Sequence, residues 1–254
     1  MKSRAMPLPP PAPLRQRGIT LISLMTGLVI SMVLVLAILM LFQRMVRAST
    51  AARMDAQADA QRSAAFLSAG IAAQEAGYGI DAAHAGTHLV VLEDAKLDGS
   101  TLSGTSVSQG RTPNIVDHNG YAVVWAEKAT GATGDPRCSA LLAPSPSDKG
   151  GLRKLGPVPC ADAAAFSALA WTTALPLMDA PTAPVADPPT APLVAITWRA
   201  AACTPFGIAA GTGADEKVLL TLTAANSNGV VLETSQCLAN VSGSAPPPVS
   251  APPP

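Results

Sequence analysis

Polar and apolar positions divide the chain into stretches of different period. Ile19 to Phe42 carries no charge, and the first charged residue after Gly18 is Arg44. These 24 residues are long enough to cross a bilayer as a helix. From Gln43 to Gln74 the pattern turns mixed: Ala, Gln, Arg and Met dominate, with Arg44, Arg47, Arg53, Asp55, Asp59 and Arg62 spaced along it. These are good helix formers. No proline occurs between Ile19 and Gln74, and the only glycines are Gly27 and Gly70. The two stretches therefore predict one continuous helix of about 55 residues, roughly 80 Å long. Its first half fits lipid. Its second half must stand in water, offering an Ala-rich, weakly amphipathic face to a packed domain. Gly77 and Gly79, around Tyr78, are suited to end it. A coiled-coil stalk is disfavoured, because no heptads of Leu or Ile are sustained.

Beyond the helix the period becomes two. His88–Leu92, Tyr121–Ala126, Leu193–Trp198, Lys217–Thr223 and Val230–Glu233 read as strands. The last two flank Asn226-Ser227-Asn228-Gly229, a strong hairpin signal. Residues 99–114 and 130–157 read as Gly/Ser/Thr-rich loops. The Pro-rich segment Asp179–Pro192 cannot be a central strand. Residues 242–254 hold Pro at 6 of 13 positions and read as a disordered tail. The expected fold class is α+β, a long N-terminal helix covering one face of an antiparallel sheet.

Composition narrows the function classes. The whole chain has a formal net charge of zero. Removing residues 1–18 takes away four of the 17 basic residues and none of the 17 acidic ones, leaving −4. Such a surface is a poor general match for nucleic acid, and no nucleic-acid partner is expected. The four cysteines, Cys138, Cys160, Cys203 and Cys237, all lie in the second half. Their even number behind a single span suggests two disulfides in an oxidising compartment. Three pairings are open, and Cys138–Cys160 with Cys203–Cys237 is favoured because each closes a local loop. Their spacing is not that of a zinc site.

Candidate chemistry is sparse. His84 and His88 are four apart, but Gly86 lies between them and His118 is the only other histidine. They read as loop histidines. Asp94, Asp98 and Gly99 sit in a segment without the regular oxygen spacing of a calcium loop. Trp125, Trp171 and Trp198 read as core or sheet-face residues. No nucleophile elbow, phosphate loop or dinucleotide fingerprint is present. No enzyme, metal or cofactor is expected.

The junction Arg15-Gln16-Arg17-Gly18-Ile19-Thr20-Leu21-Ile22-Ser23 is the most informative motif. A basic, Pro-rich leader ends in Gly directly before the apolar run. A secretory signal has a shorter core followed by a small-residue cleavage site. Basic residues are equal in number on the two sides of the run, four and four, so charge does not set the orientation. The junction resembles the class III leader of type IV prepilins, in which Gly is followed by Phe-Thr-Leu-Ile-Glu. Gly18, Ile19, Thr20, Leu21 and Ile22 fit that pattern, with Ile19 in place of Phe. The resemblance implies cleavage after Gly18 and methylation of Ile19 by a prepilin peptidase. Ala76-Gly77-Tyr78 at the helix end resembles the PilW-type minor pilins, which implies a part in priming pilus assembly. A type II secretion pseudopilin shares the same leader and helix.

The expected organisation is a leader (1–18), a transmembrane or filament-core helix (19–42), a periplasmic half-helix (43–78), a pilin-like domain (79–241) and a tail (242–254). The implied location is the inner membrane with a periplasmic domain, then the pulled-out fibre. The implied partners are the peptidase, other minor and major pilins, the inner-membrane assembly platform and membrane lipid. Ser23 departs from the family. In pilins a Glu at that position is thought to pair with the N-terminal ammonium of a neighbouring subunit, because a buried amine is costly unless paired. Ser cannot supply that charge. Either Ser23 only bonds back to a helix carbonyl, or this subunit has no neighbour above it, which would place it near a filament tip.

Overall fold

The computed structural model describes residues 20–107, 120–128, 135–145, 148, 150–179, 194–203, 216–225 and 231–243. Gly18, Ile19, His118, the turn around Asn226–Gly229, most of the Pro-rich segment and the tail beyond Gly243 lie outside these residues. The chain divides into two compact units, Met1–Met54 and Asp55–Pro254.

One helix, α1, runs through Leu21–Ala73. Thr20 caps it: the backbone N–H of Ser23 points to Thr20 Oγ1 at 3.4 Å, and Leu24 N–H donates to the Thr20 carbonyl at 3.2 Å. In the first unit every described residue is exposed. In the second unit α1 becomes one-sided. Ala65, Phe66, Ala69, Gly70, Ala72 and Ala73 are buried, a spacing of three and four that defines one helix face. Apart from Phe66 these residues are small, and a Cβ on Gly70 would stand 3.1 Å from the side-chain Oε1 of Gln236.

The helix end tightens before it stops. Glu75 N–H donates to the Ala72 carbonyl and Ala76 N–H to that of Ala73, the short-turn pattern common at helix C-termini. Gly77 and Gly79 then take φ of +73° and +69°, a region open chiefly to glycine. The regular helix thus closes at Ala73, short of the expected end at residue 78, and the two glycines turn the chain just beyond it.

Among the described residues nine strands follow: β1 (Leu89–Asp98), β2 (Thr101–Ser106), β3 (Tyr121–Glu127), β4 (Arg137–Ala143), β5 (Leu152–Pro159), β6 (Ala174–Met178), β7 (Ala195–Ala201), β8 (Lys217–Ala225) and β9 (Val231–Ser242). They form two antiparallel sheets rather than one. The larger has the order β2-β1-β3-β4-β5-β6 and the smaller β7-β8-β9. The β8–β9 pairing closes at Ala225↔Val231, on either side of the sequence-predicted turn.

Four strands fall where loops were expected or where nothing was assigned. Residues 99–114 contain β2 and residues 130–157 contain β4 and most of β5, while β6 had no sequence signal. Strand β2 is Thr-Leu-Ser-Gly-Thr-Ser, an edge strand that buries Leu102 alone. Strand β4 is Ala- and Leu-rich with no β-branched residue, so its strand state comes from pairing with β3 over seven rungs rather than from propensity. Strands β5 and β6 carry prolines, tolerated because β6 is an edge and β5 is irregular.

Strand β3 lacks a polar side altogether: Tyr121 through Ala126 are all buried. Val123 and Trp125 join a core with Phe66 and Ala69 of α1 and with Ile196, Leu220 and Val241 of the smaller sheet. Ala122, Val124 and Ala126 face a second core with Leu102, Leu142, Leu155 and Trp171, under the 3₁₀ turn Ala163–Ala168. A strand covered on both faces reads as a continuous apolar run. Cys138–Cys160 and Cys203–Cys237 are both bonded, with Cα–Cα separations of 5.6 and 5.9 Å, well within disulfide reach. The favoured pairing is the one present.

Candidate functional site

The feature that sets this chain apart from an ordinary soluble domain is the surface of Leu21–Phe42. Its large apolar side chains stand exposed all round, from Leu21 at 75% to Leu36 at 48%. Among the described residues it is the helix long and apolar enough to cross a membrane. A helix apolar on every side is stable only within lipid or among other apolar helices. Two of its hydroxyls bond back to the helix. Thr26 Oγ1 donates to the Ser23 carbonyl at 3.1 Å and Ser31 Oγ to the Leu28 carbonyl at 2.9 Å. A hydroxyl so bonded enters a water-free medium at little cost. Around Gly27 a Cβ would meet nothing within 4 Å, so this glycine is not required by contacts within the chain.

Ser23 lies in the first turn. Its N–H is taken by Thr20 and its carbonyl by Thr26. The hydroxyls that bond back to carbonyls in this stretch are those of Thr26 and Ser31. Gly18 and Ile19 are outside the described residues, so their geometry forms no part of the site.

The second unit, Asp55–Pro254, is the head, and it holds two small groups of titratable side chains. His84 and His88 do meet, with ring centroids 5.0 Å apart and edge-on. His84 N–H lies 3.3 Å from His88 Nδ1, and His84 Nδ1 lies 3.2 Å from the Ala82 carbonyl. Ring nitrogens committed to the backbone in this way organise a loop. Burial lowers the His88 pKa below its ordinary 6.5, His84 adds to this, and Asp162 opposes it. No cluster of three or more His, Cys, Asp and Glu able to hold a metal occurs among the described residues.

The Asp94–Gly99 segment is a strand and its turn. Asp98 pairs with Thr101 across a two-residue turn with Gly99 at φ +59°, the conformation a tight hairpin needs at its first central position. Asp94, at φ +56°, marks the irregularity between Glu93 and Lys96. Trp125 and Trp171 are buried, and Trp198 is partly buried against the first core. The Trp198 indole N–H donates to the Val107 carbonyl at 3.3 Å. An open depression of about 300 Å³ follows the β5–β6 edge, lined by Gly150, Arg153, Ala174, Pro176, Met178 and Asp179.

The second group was not foreseen. Glu127, at the end of β3, accepts from Trp125 Nε1 at 3.3 Å and from Ser139 Oγ at 3.2 Å. It is also hydrogen-bonded to Glu75, which lies just past α1 and reaches Lys154 Nζ at 3.4 Å. Burial raises the Glu127 pKa above its ordinary 4.5. The charge of Glu75 and the hydrogen bond to it push the same way, while the bonds from Trp125 and Ser139 oppose. The signal available in the sequence was Glu127 two residues after Trp125, hence on the same face of its strand. The partner, 52 positions away (Glu75 to Glu127), is set by the fold.

Comparison with protein-family models, with curated proteins and with solved structures finds no match to this chain.

Proposed function

We propose that this protein is a minor pilin of a type IV pilus, processed after Gly18 and methylated on Ile19, that takes part in starting pilus assembly at or near the tip. The observation that carries the reading is the pairing of an all-round exposed apolar helix, Leu21–Phe42, with the Arg-Gln-Arg-Gly-Ile-Thr-Leu-Ile junction directly before it. A plain anchor needs the helix and not the junction. The head supports the reading in outline, with a half-buried helix, antiparallel sheets and two disulfides. In this account the subunit waits in the inner membrane with its head in the periplasm. Its helix then exchanges lipid for the flanks of neighbouring helices, which replace one set of apolar contacts by another. Its partners are the prepilin peptidase, the assembly platform, and other minor and major pilins.

A type II secretion pseudopilin is the nearest second reading, favoured by Ser23. By family resemblance the tip subunit of those systems also lacks the Glu. The tip position is tested by Ser23→Glu. A restored carboxylate should lower pilus number or displace the protein from the tip. Unchanged pilus number and tip composition would strip Ser23 of positional meaning.

A further inference from the structure

The segment just past α1 is stitched to the end of β3 by backbone and side chain together. Gly77 N–H donates to the Ala126 carbonyl at 2.8 Å, and Lys128 N–H donates to the Tyr78 carbonyl at 2.7 Å. Glu127, flanked in sequence by Ala126 and Lys128 of these bonds, is hydrogen-bonded through its side chain to Glu75. Two carboxylates in contact cannot both be ionised without repulsion, and one shared proton converts that repulsion into a hydrogen bond. The surroundings single out Glu127 to hold the proton. Glu75 is half exposed and has Lys154, from β5, as its cation. Among the described residues, Glu127 accepts from neutral donors, the indole of Trp125 and the hydroxyl of Ser139. From β4, Arg137 stands opposite Glu127 in the ladder but is exposed. Lys128 is the next residue in the chain.

We propose that the Glu75–Glu127 pair is a proton-operated clasp, closed in mildly acidic surroundings and loosened as the pH rises, that fixes the end of α1 to the edge of β3. The device does not depend on the pilin reading. In a periplasmic subunit it would make the join between helix and head responsive to the external medium, since protons pass freely to that compartment.

Backbone amides report it directly. In the full chain held in detergent micelles, hydrogen exchange at Gly77 and Lys128 is followed at about pH 5 and about pH 8, each rate corrected for intrinsic exchange. The wild-type protection of both amides should fall several-fold at the higher pH. In Glu127→Gln, which keeps a neutral donor and acceptor, it should stay level. Glu75→Gln, at a half-exposed site, serves as the second variant and should also hold its protection. Equal wild-type protection at the two pH values, or a fall in both variants matching the wild type, would overturn the clasp.

Discussion

Thr20 and Ser23 show how little the first turn of α1 gives to the rest of the chain. Thr20 supplies the cap and Ser23 a neutral first turn, where an acid would have favoured the positive end of the helix dipole. The residues with adjustable charge sit in the head, and two of them work against each other. Glu127 has a folded pKa raised above its ordinary 4.5. Its contribution to stability is full below that value and is lost as the pH rises through the folded value. His88 has a folded pKa lowered below its ordinary 6.5. Its contribution is full above 6.5 and is lost as the pH falls through the lowered value. Just above pH 4.5 the Glu127 slope is therefore negative, and just below pH 6.5 the His88 slope is positive. Glu127→Gln should leave stability that only rises with pH through this interval, and His88→Gln stability that only falls. Denaturant melts of the full chain in micelles at several pH values check both slopes. Parallel curves for wild type and both variants would contradict the assignment.

Among the elements, α1 was legible because it depends on local chemistry: no proline, two glycines, and strong helix formers in every turn. Its stop was legible for the same reason. Gly77 lies at φ +73°, and a Cβ there would come within 2.9 Å of Ala83 Cβ, the Asn240 carbonyl and Val241 Cγ2. Gly77→Ala should therefore destabilise the head by more than the 1–2 kcal/mol or so expected from the left-handed backbone alone. A chemical melt measures it, and a loss below about 0.5 kcal/mol would contradict the close approach. Strands β3, β7 and β8, and the first residues of β1 and β9, were legible from β-branched and aromatic residues; the rest of β1 beyond Leu92 and of β9 beyond Glu233 was not. Strands β2, β4, β5 and β6 were not. They hold Leu, Ala, Ser, Gly and Pro with few β-branched residues and no aromatic one, and what makes them strands is the neighbour each pairs with. The division into two sheets was hidden for the same reason: strand order is a property of contacts, and all five legible strands look alike in isolation. Cysteine pairing was readable from loop length, whereas the Glu75–Glu127 meeting required the register that brings the end of β3 to the end of α1.

For the whole molecule, the central claim joins a surface to a motif. Leu21–Phe42 is apolar and exposed among the described residues, a surface suited to lipid, to other helices, or to each in turn. The Gly18–Ile19 junction decides between a permanent anchor and a subunit that is cut and withdrawn. The positive charges flanking the span are balanced, so they do not decide it. After cleavage the protein would carry −4, in keeping with protein and lipid partners rather than nucleic acid. The direct test is the intact mass and N-terminal sequence of the protein taken from membranes of strains with and without the prepilin peptidase. A chain beginning at N-methylated Ile19 only where the peptidase is present is the predicted result. A chain that keeps residues 1–18 in both strains would contradict the filament reading and leave a membrane-anchored periplasmic binding or adhesion module.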